Sequence, residues 1–147
     1  MRRLIPVLVA LLAATPALAD YQRVQAEGSV TEAMERLTAA VEEAGATVFA
    51  AIDHGAGAAS VDMDLPDSQL LIFGNPMLGT PAMQADPLAG LHLPLKILVY
   101  ADGDGQTWVA YEQVDDTFDE LDAVEDLEVL KRMEGALGKF SSAAAGE

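Results

Sequence analysis

The sequence contains no cysteine among its 147 residues. Thiol catalysis, thiolate metal sites and haem attachment through thioether bonds are therefore excluded, and the fold uses no disulfide. Basic residues are also few, because eight Lys and Arg stand against 24 Asp and Glu, which gives a formal net charge of −16. Nucleic acids and anionic membrane surfaces repel such a protein, so we expect neither as a partner.

The sequence also lacks an apolar run of the roughly 20 residues that a membrane-spanning helix needs. Residues 1–19 begin with two arginines, continue with an apolar run that Pro16 interrupts, and end in Ala17-Leu18-Ala19. This order predicts a signal peptide that is cleaved after Ala19, rather than a retained anchor, and hence a periplasmic or secreted protein. The remaining chain is long enough for one core, and we predict a single domain over residues 20–140 and a flexible tail over residues 141–147.

The spacing of apolar residues predicts strands with a long helix near each end of the domain. Residues 30–44 and 116–139 repeat at helical spacing. Either Ser29 or Thr31 can cap the first helix, and Ser29 with Glu32 forms the capping-box pattern. A short helix is predicted at residues 80–89 with Thr80 as its cap. Predicted strands occupy residues 21–26, 47–52, 59–65, 69–73, 95–100 and 107–111, and a hairpin turn at residues 102–105 joins the last two. We therefore expect an α+β fold with helices on one face of an antiparallel-dominated sheet.

A resemblance to a known family rests on three phrases of the sequence. They are Ile52-Asp53-His54, LLIFGNPMLGTPAMQ at residues 70–84, and Leu93-Pro94-Leu95-Lys96. On these phrases the sequence resembles the domain-of-unknown-function family 302, a group of small bacterial and archaeal domains. The resemblance implies an arrangement like that of the TATA-box-binding protein, with the order strand, helix, antiparallel strands, helix, and it implies a homodimer. It implies no DNA binding and supplies no reaction.

The glycine and proline turns of residues 74–81 are a candidate ligand site. Glycine lets a backbone approach a ligand closely, and a helix that starts at Thr80 offers free N–H groups to an anion. Lys96 would add a positive charge, and Asn75 and Gln84 would add amide groups. We therefore expect a small anionic ligand here. The alternative is an interlocking turn structure in which Lys96 pairs with a neighbouring acid.

The two histidines of the sequence are further candidates. Asp53 and His54 follow a predicted strand and precede glycines, where an imidazole is accessible for proton transfer or metal binding. The alternative is that His54 holds the loop by hydrogen bonds. His54, His92 and Met77 would together supply the imidazole and thioether ligands of a copper or haem site, although none of the usual ligand spacings is present.

Three hypotheses about function follow. The preferred one is an exported, non-enzymatic module that binds a small ligand or cofactor through the six ligand candidates, which are Asp53, His54, Asn75, Thr80, Gln84 and Lys96. The second is a small enzyme with His54 as general base and Lys96 stabilising negative charge. The third is a purely structural domain that serves dimerisation. The first two need His54, Asn75 and Lys96 to converge on one pocket.

Overall fold

The computed structural model describes residues 21–147, so the predicted signal peptide lies outside the described residues. Five strands form one antiparallel sheet in the order β1-β5-β4-β3-β2. The strands are β1 Tyr21–Gln25, β2 Thr47–Asp53, β3 Ser68–Gly74, β4 Leu95–Ala101 and β5 Thr107–Glu112. The helices are α1 Val30–Glu43, α2 His54–Ala59, α3 Pro76–Ala85, α4 Ala89–His92, α5 Val114–Thr117 and α6 Glu128–Ala145. The predicted α+β fold with an antiparallel sheet is confirmed.

The core lies between one face of the sheet and the long helices α1 and α6. Alternate residues of a strand point to the same face. Leu71 and Phe73 of β3 are buried, whereas Leu70 and Ile72, which point to the other face, are partly exposed. The ring of Phe73 meets the ring of Phe140 on α6 edge to face, with centroids 5.5 Å apart. This pair ties the centre of the sheet to the last helix.

Helix α1 begins and ends as the sequence predicts. The Ser29 hydroxyl accepts a hydrogen bond from the Glu32 backbone N–H at 3.3 Å, and the Ser29 N–H donates to the Glu32 carboxylate at 2.8 Å. The Ser29 backbone N–H, followed by the Ser29 hydroxyl, lowers the pKa of Glu32. Gly45 follows the helix with φ 73°, a conformation that favours glycine.

The strand predicted at residues 59–65 does not form. Asp53 instead caps the short helix α2, because its carboxylate accepts a hydrogen bond from the Ala56 N–H at 2.8 Å. The alternating residues that follow do not pair with any strand of the described chain, and Val61 and Met63 are 63% and 65% exposed. Alternation of apolar and acidic residues is therefore not sufficient for a strand.

The helix predicted at residues 80–89 begins earlier than expected. Asn75, not Thr80, is its cap, because the Asn75 side-chain oxygen accepts a hydrogen bond from the Met77 N–H at 2.9 Å. Pro76 occupies the first helical position, where its missing N–H has no cost, and Pro81 lies inside the helix. The sequence offers two similar helix starts, Asn75-Pro76 and Thr80-Pro81, and the predicted helix began at the second.

The single helix predicted at residues 116–139 is interrupted. Between α5 and α6, the N–H groups of Leu121, Val124 and Leu127 donate to the carbonyls three residues before them. The apolar side chains of this segment recur every three residues, a period that fits successive tight turns better than an α-helix.

The tail predicted at residues 141–147 is helical as far as Ala145, and Ser141, Ala144 and Ala145 are buried. The Glu27 N–H donates to the Ala145 carbonyl at 2.9 Å, which attaches the helix end to the segment between β1 and α1. The flexible tail is therefore corrected to the last turns of α6.

Candidate functional site

The strand registers place the predicted site residues at two opposite ends of the sheet. Asp53 lies beside Gln69 of β3, whereas Thr47 lies beside Gly74 at the other end of the same pair. The step from Gln69 to Gly74 along β3 covers about 17 Å at about 3.4 Å per residue. We call the end with Asp53, His54 and the turn at residues 102–105 the hairpin end. We call the end with Asn75, His92 and Lys96 the motif end.

This separation corrects two of the hypotheses that rest on His54. His54 begins α2 at the hairpin end, while Lys96 is near the start of β4 at the motif end. Within one copy of the chain, the two side chains therefore do not meet in one active site. His54 and His92 are separated in the same way, so one copy of the chain does not bring both imidazoles to a single metal or haem group with Met77. Residues 21–147 also contain no group of three or more His, Asp or Glu that could hold a metal ion.

At the hairpin end the carboxylates hold turns together. Asp53 caps α2, and His54 beside it is exposed. The carboxylate of Asp102 accepts hydrogen bonds from the Asp104 N–H at 3.0 Å and from the indole N–H of Trp108 at 2.7 Å. These bonds, the indole first, lower the pKa of Asp102. The predicted hairpin is confirmed, and the Asp102 carboxylate in its turn already has hydrogen-bond partners.

At the motif end the neighbouring strands β4 and β5 part from each other. Their pairing runs from Leu98 and Ala110 to Ala101 and Thr107. Strand β4 nevertheless starts at Leu95, and β5 continues to Glu112. A cavity of about 270 Å³ occupies the gap. We call it the β4–β5 cleft.

The β4–β5 cleft combines apolar walls with four polar or charged side chains. Its apolar wall includes Leu70, Leu98, Ala110 and Leu137, and its polar side chains include His92, Lys96, Tyr111 and Glu112. Two predicted site residues, His92 and Lys96, are thus brought together. Tyr111 and Glu112 were missed, because the parting of two strands has no signature in the sequence.

The electrostatics of the cleft centre on Lys96. Within residues 21–147, Lys96 has no carboxylate within ion-pair distance, and the pair found there joins Lys131 and Glu128 at 2.7 Å. The alternative in which Lys96 pairs with a neighbouring acid therefore has no support among the described residues. The half-buried His92 ring lies 5.3 Å from the Phe118 ring, which restricts its orientation. Burial, with a smaller effect from the Glu134 charge, raises the pKa of Tyr111, so its hydroxyl remains a donor.

The other predicted site residues of the motif end lie on α3 or cap it. Asn75 and Thr80 line an apolar chamber of about 280 Å³ together with Phe49, Met83 and Met133. Met77 is 78% exposed and lines a neighbouring groove of about 450 Å³ that also includes Arg132 and Lys139 on α6. Gln84 is exposed on α3 outside both.

The basic residues of the described chain divide into two groups of three. In the first group, Arg23 donates to the Tyr100 hydroxyl, Arg36 donates to the Ala144 carbonyl, and Lys131 pairs with Glu128. The second group has neither a hydrogen bond nor an ion pair with any residue of 21–147, and each of its members lines a cavity. It consists of Lys96 in the β4–β5 cleft and of Arg132 and Lys139 in the groove beside α6.

The family model of the Domain of unknown function DUF302 matches residues 22–140, and the chain belongs to this family. The crystal structure of an uncharacterized conserved protein DUF302 from Bacillus stearothermophilus has a TM-score of 0.78 and 18% sequence identity, and the likeness covers 86% of this chain and 99% of that one. At this identity the likeness shows the shared fold alone.

Curated relatives are found in Brucella. The chain is 43% identical over 86 residues to the fluoride-specific ion channel FluC 1 of Brucella suis biovar 1, which is 58% of this chain and 34% of that protein. It is also 43% identical over 86 residues to the fluoride-specific ion channel FluC 2 of Brucella melitensis biotype 1, and the matched stretch covers 32% of that protein. The chain thus spans about a third of the length of the curated relatives it matches. No helix within residues 21–147 is long and apolar enough to cross a membrane.

Proposed function

We propose that the chain is an exported, non-enzymatic module that binds a small anionic molecule in the β4–β5 cleft. The observation that carries the proposal is Lys96, an ammonium group that lines an apolar-walled cavity and has no acidic partner in the described chain. The Lys96 side chain is exposed, so its ammonium group is accessible to an anion that enters the cleft. An anion in the cleft would supply the missing partner.

The other groups of the cleft restrict the size and chemistry of the ligand. Its volume of about 270 Å³ is below the range of about 300–1,000 Å³ usual for drug-sized ligands, so the ligand is small. His92 and Tyr111 offer hydrogen bonds, while the Glu112 carboxylate disfavours a second negative charge. These features fit a monovalent anion that carries a hydrogen-bonding group of its own, such as a small hydroxy acid.

The curated relatives support an anion as the ligand class. They carry the name of a fluoride-specific ion channel, and fluoride is a small monovalent anion. The shared stretch is about a third of those proteins, so their channel activity is not transferred to this chain. Fluoride is therefore one of the probes to test, beside organic anions.

The test compares Lys96→Gln with Lys131→Gln in a titration followed by ¹H–¹⁵N NMR. The probes are lactate, acetate and fluoride. Lys131→Gln is the matched control, because it removes the same charge outside the cleft. We expect one probe to give saturable shifts at the backbone amides of Leu98 and Tyr111, and Lys96→Gln to weaken its binding by about five-fold, the limit for one exposed charge.

Two outcomes would contradict the proposal. One is equal affinity in the wild type and in both variants. The other is the absence of saturable shifts together with native mass spectrometry of the naturally produced protein that shows no bound small molecule.

Dimerisation is a second candidate function, and strand β2 supports it. This strand lies at an edge of the sheet, and its sequence TVFAAID contains no lysine or proline that would prevent another strand from pairing. Phe49 and Ile52 on it are 57% and 40% exposed. We expect a second copy of the chain to pair here and to extend the sheet.

Sedimentation equilibrium tests the dimer. Ala51→Lys places a charge on the edge strand and is expected to shift the protein to the monomer. Gln22→Lys places the same charge on β1, the opposite edge, and should leave the dimer intact. A wild-type monomer at high micromolar concentration would exclude this candidate.

A further inference from the structure

We infer that the motif end contains a second binding site, separate from the β4–β5 cleft, for a single-chain amphiphile with an anionic head group. The site combines the apolar chamber beside α3 with the groove beside α6. The two cavities adjoin, since both are lined by Gly74, Asn75, Leu78 and Leu95. We call them together the motif groove. Leu95 is the one lining residue it shares with the β4–β5 cleft.

The chamber half of the motif groove fits an apolar chain. Phe49, Met83 and Met133 are among its predominantly apolar lining, and its volume is about 280 Å³. The side-chain oxygen of Asn75, one of its few polar atoms, already accepts the hydrogen bond that caps α3. Phe49 and Met83 are 57% and 40% exposed, so covering them removes apolar surface from water. Methionine side chains adapt to the shape of what they contact.

The groove half of the motif groove fits an anionic head group. Arg132, Gly135 and Lys139 lie three and four residues apart on α6, so they share one helix face. The glycine leaves room between the two cations, which are separated by about 10 Å along the helix. Neither cation has an ion pair or a hydrogen bond with another residue in the described part of the chain.

Charge and apolar surface together define the class of ligand. An inorganic anion would leave the chamber empty, and a neutral hydrocarbon would leave both cations without a partner. An alkyl carboxylate satisfies both halves, with its chain against Met83 and Met133 and its head group beside Arg132 and Lys139. The probe we choose is dodecanoate, used as the monomer below its micellar concentration.

The experiment uses the methionines as reporters in ¹³C-methyl NMR. Met83 and the buried Met133 line the chamber, whereas Met34 on the buried face of α1 and Met63 after α2 do not. We expect saturable dodecanoate shifts at the first two methionines and none at the other two. Equal shifts at Met63 would show non-specific adhesion and would overturn the inference.

Charge variants test the head-group contact. Arg132→Gln with Lys139→Gln should weaken dodecanoate binding by about ten-fold, from two exposed charges. Lys131→Gln on the same helix, which lines neither cavity, should leave the affinity unchanged. If the double variant does not fold, Lys139→Gln alone should weaken binding by about three-fold. Equal affinity of the charge variant and the wild type would overturn the inference.

Two further binding experiments test whether the cations contribute and whether the amphiphile binds in the motif groove rather than in the β4–β5 cleft. Neutral dodecyl maltoside should bind more weakly than dodecanoate, and equal binding would mean that the cations play no part. Lys96→Gln should not change dodecanoate affinity, because Lys96 lines the β4–β5 cleft and not the motif groove. This last experiment keeps the inference distinguishable from the proposed function. A loss of dodecanoate affinity in Lys96→Gln would place the amphiphile in the cleft instead.

Discussion

The two ends of the sheet use their polar side chains in different ways. At the hairpin end, Asp53 and Asp102 accept hydrogen bonds from nearby N–H groups and so maintain turns. At the motif end, Lys96, Arg132 and Lys139 line cavities and have no partner within residues 21–147. Because a charge that lacks a partner gains most from a ligand, this difference supports our proposal that the motif end binds the ligand, while the hairpin end maintains turns.

The two ends also differ in their attachment to the core. The motif end contains Phe73, which is 1% exposed and packs on Phe140 of the long helix α6. At the hairpin end, helix α2 has no buried residue. A binding site needs side chains held in place, and a well-packed end supplies that rigidity.

The largest expected effect tests this difference in packing. Phe73→Ala should reduce the free energy of unfolding by about 3–5 kcal/mol, because it removes a buried aromatic ring and leaves a cavity. Ile52→Ala, at a hairpin-end position that is 40% exposed, should reduce it by less than about 1 kcal/mol. Urea denaturation of both variants measures the free energies. Similar losses would show that the hairpin end is packed as tightly as the motif end.

An effect of intermediate size is expected from the two helix caps. Asn75→Ala removes the cap of α3, whose Ala82 is buried, and should reduce the free energy of unfolding by about 1 kcal/mol. Asp53→Ala removes the cap of α2, which can open without disturbing the core, and the global loss should be below about 0.5 kcal/mol.

Hydrogen exchange separates the two cap variants further. In Asp53→Ala, faster exchange should be confined to the amides of α2 and its neighbours, while Asn75→Ala should speed exchange in α3. A larger global loss in Asp53→Ala than in Asn75→Ala would contradict the ranking of the two ends.

A smaller effect is expected from the two histidines, measured as affinity for the small anion that we propose as the ligand of the β4–β5 cleft. His92→Ala should weaken that binding by about three-fold, because the imidazole lines the cleft and offers one hydrogen bond. His54→Ala should leave the affinity unchanged, since His54 is exposed at the other end of the sheet. If His54→Ala lowered the affinity as much as His92→Ala, the result would support the single pocket with His54 and Lys96 that the sequence predicted.

The local features of the fold could be read from the sequence, whereas the site depends on the register of strands. The cap at Ser29, the turn at residues 102–105 and the alternation of β3 each result from contacts between near neighbours. The β4–β5 cleft exists because two strands stop pairing before they end, which no local pattern encodes. The pairing of Asp53 with Gln69 likewise decided that His54 lies away from Lys96.

The smallest expected effect concerns the ionisation of Asp102 at the hairpin end. The indole N–H of Trp108 is the main cause of its lowered pKa, followed by the Gln106 N–H. A carboxylate whose pKa is lower in the folded state stabilises the fold above its unfolded pKa, near 4, and loses that contribution as the pH falls through the folded pKa. Stability at this end should therefore decrease below about pH 4.

Trp108→Phe tests the assignment by removing the indole N–H while keeping an aromatic ring. We expect the pKa of Asp102, followed by carboxyl ¹³C NMR, to rise toward its ordinary value. Tyr100→Phe is the control, because it removes the phenol to which Arg23 donates and leaves the indole in place. An unchanged pKa of Asp102 in Trp108→Phe would mean that the backbone N–H groups of the turn alone hold the charge. The carboxylates of the hairpin end would then be set by turn geometry rather than by side-chain pairing.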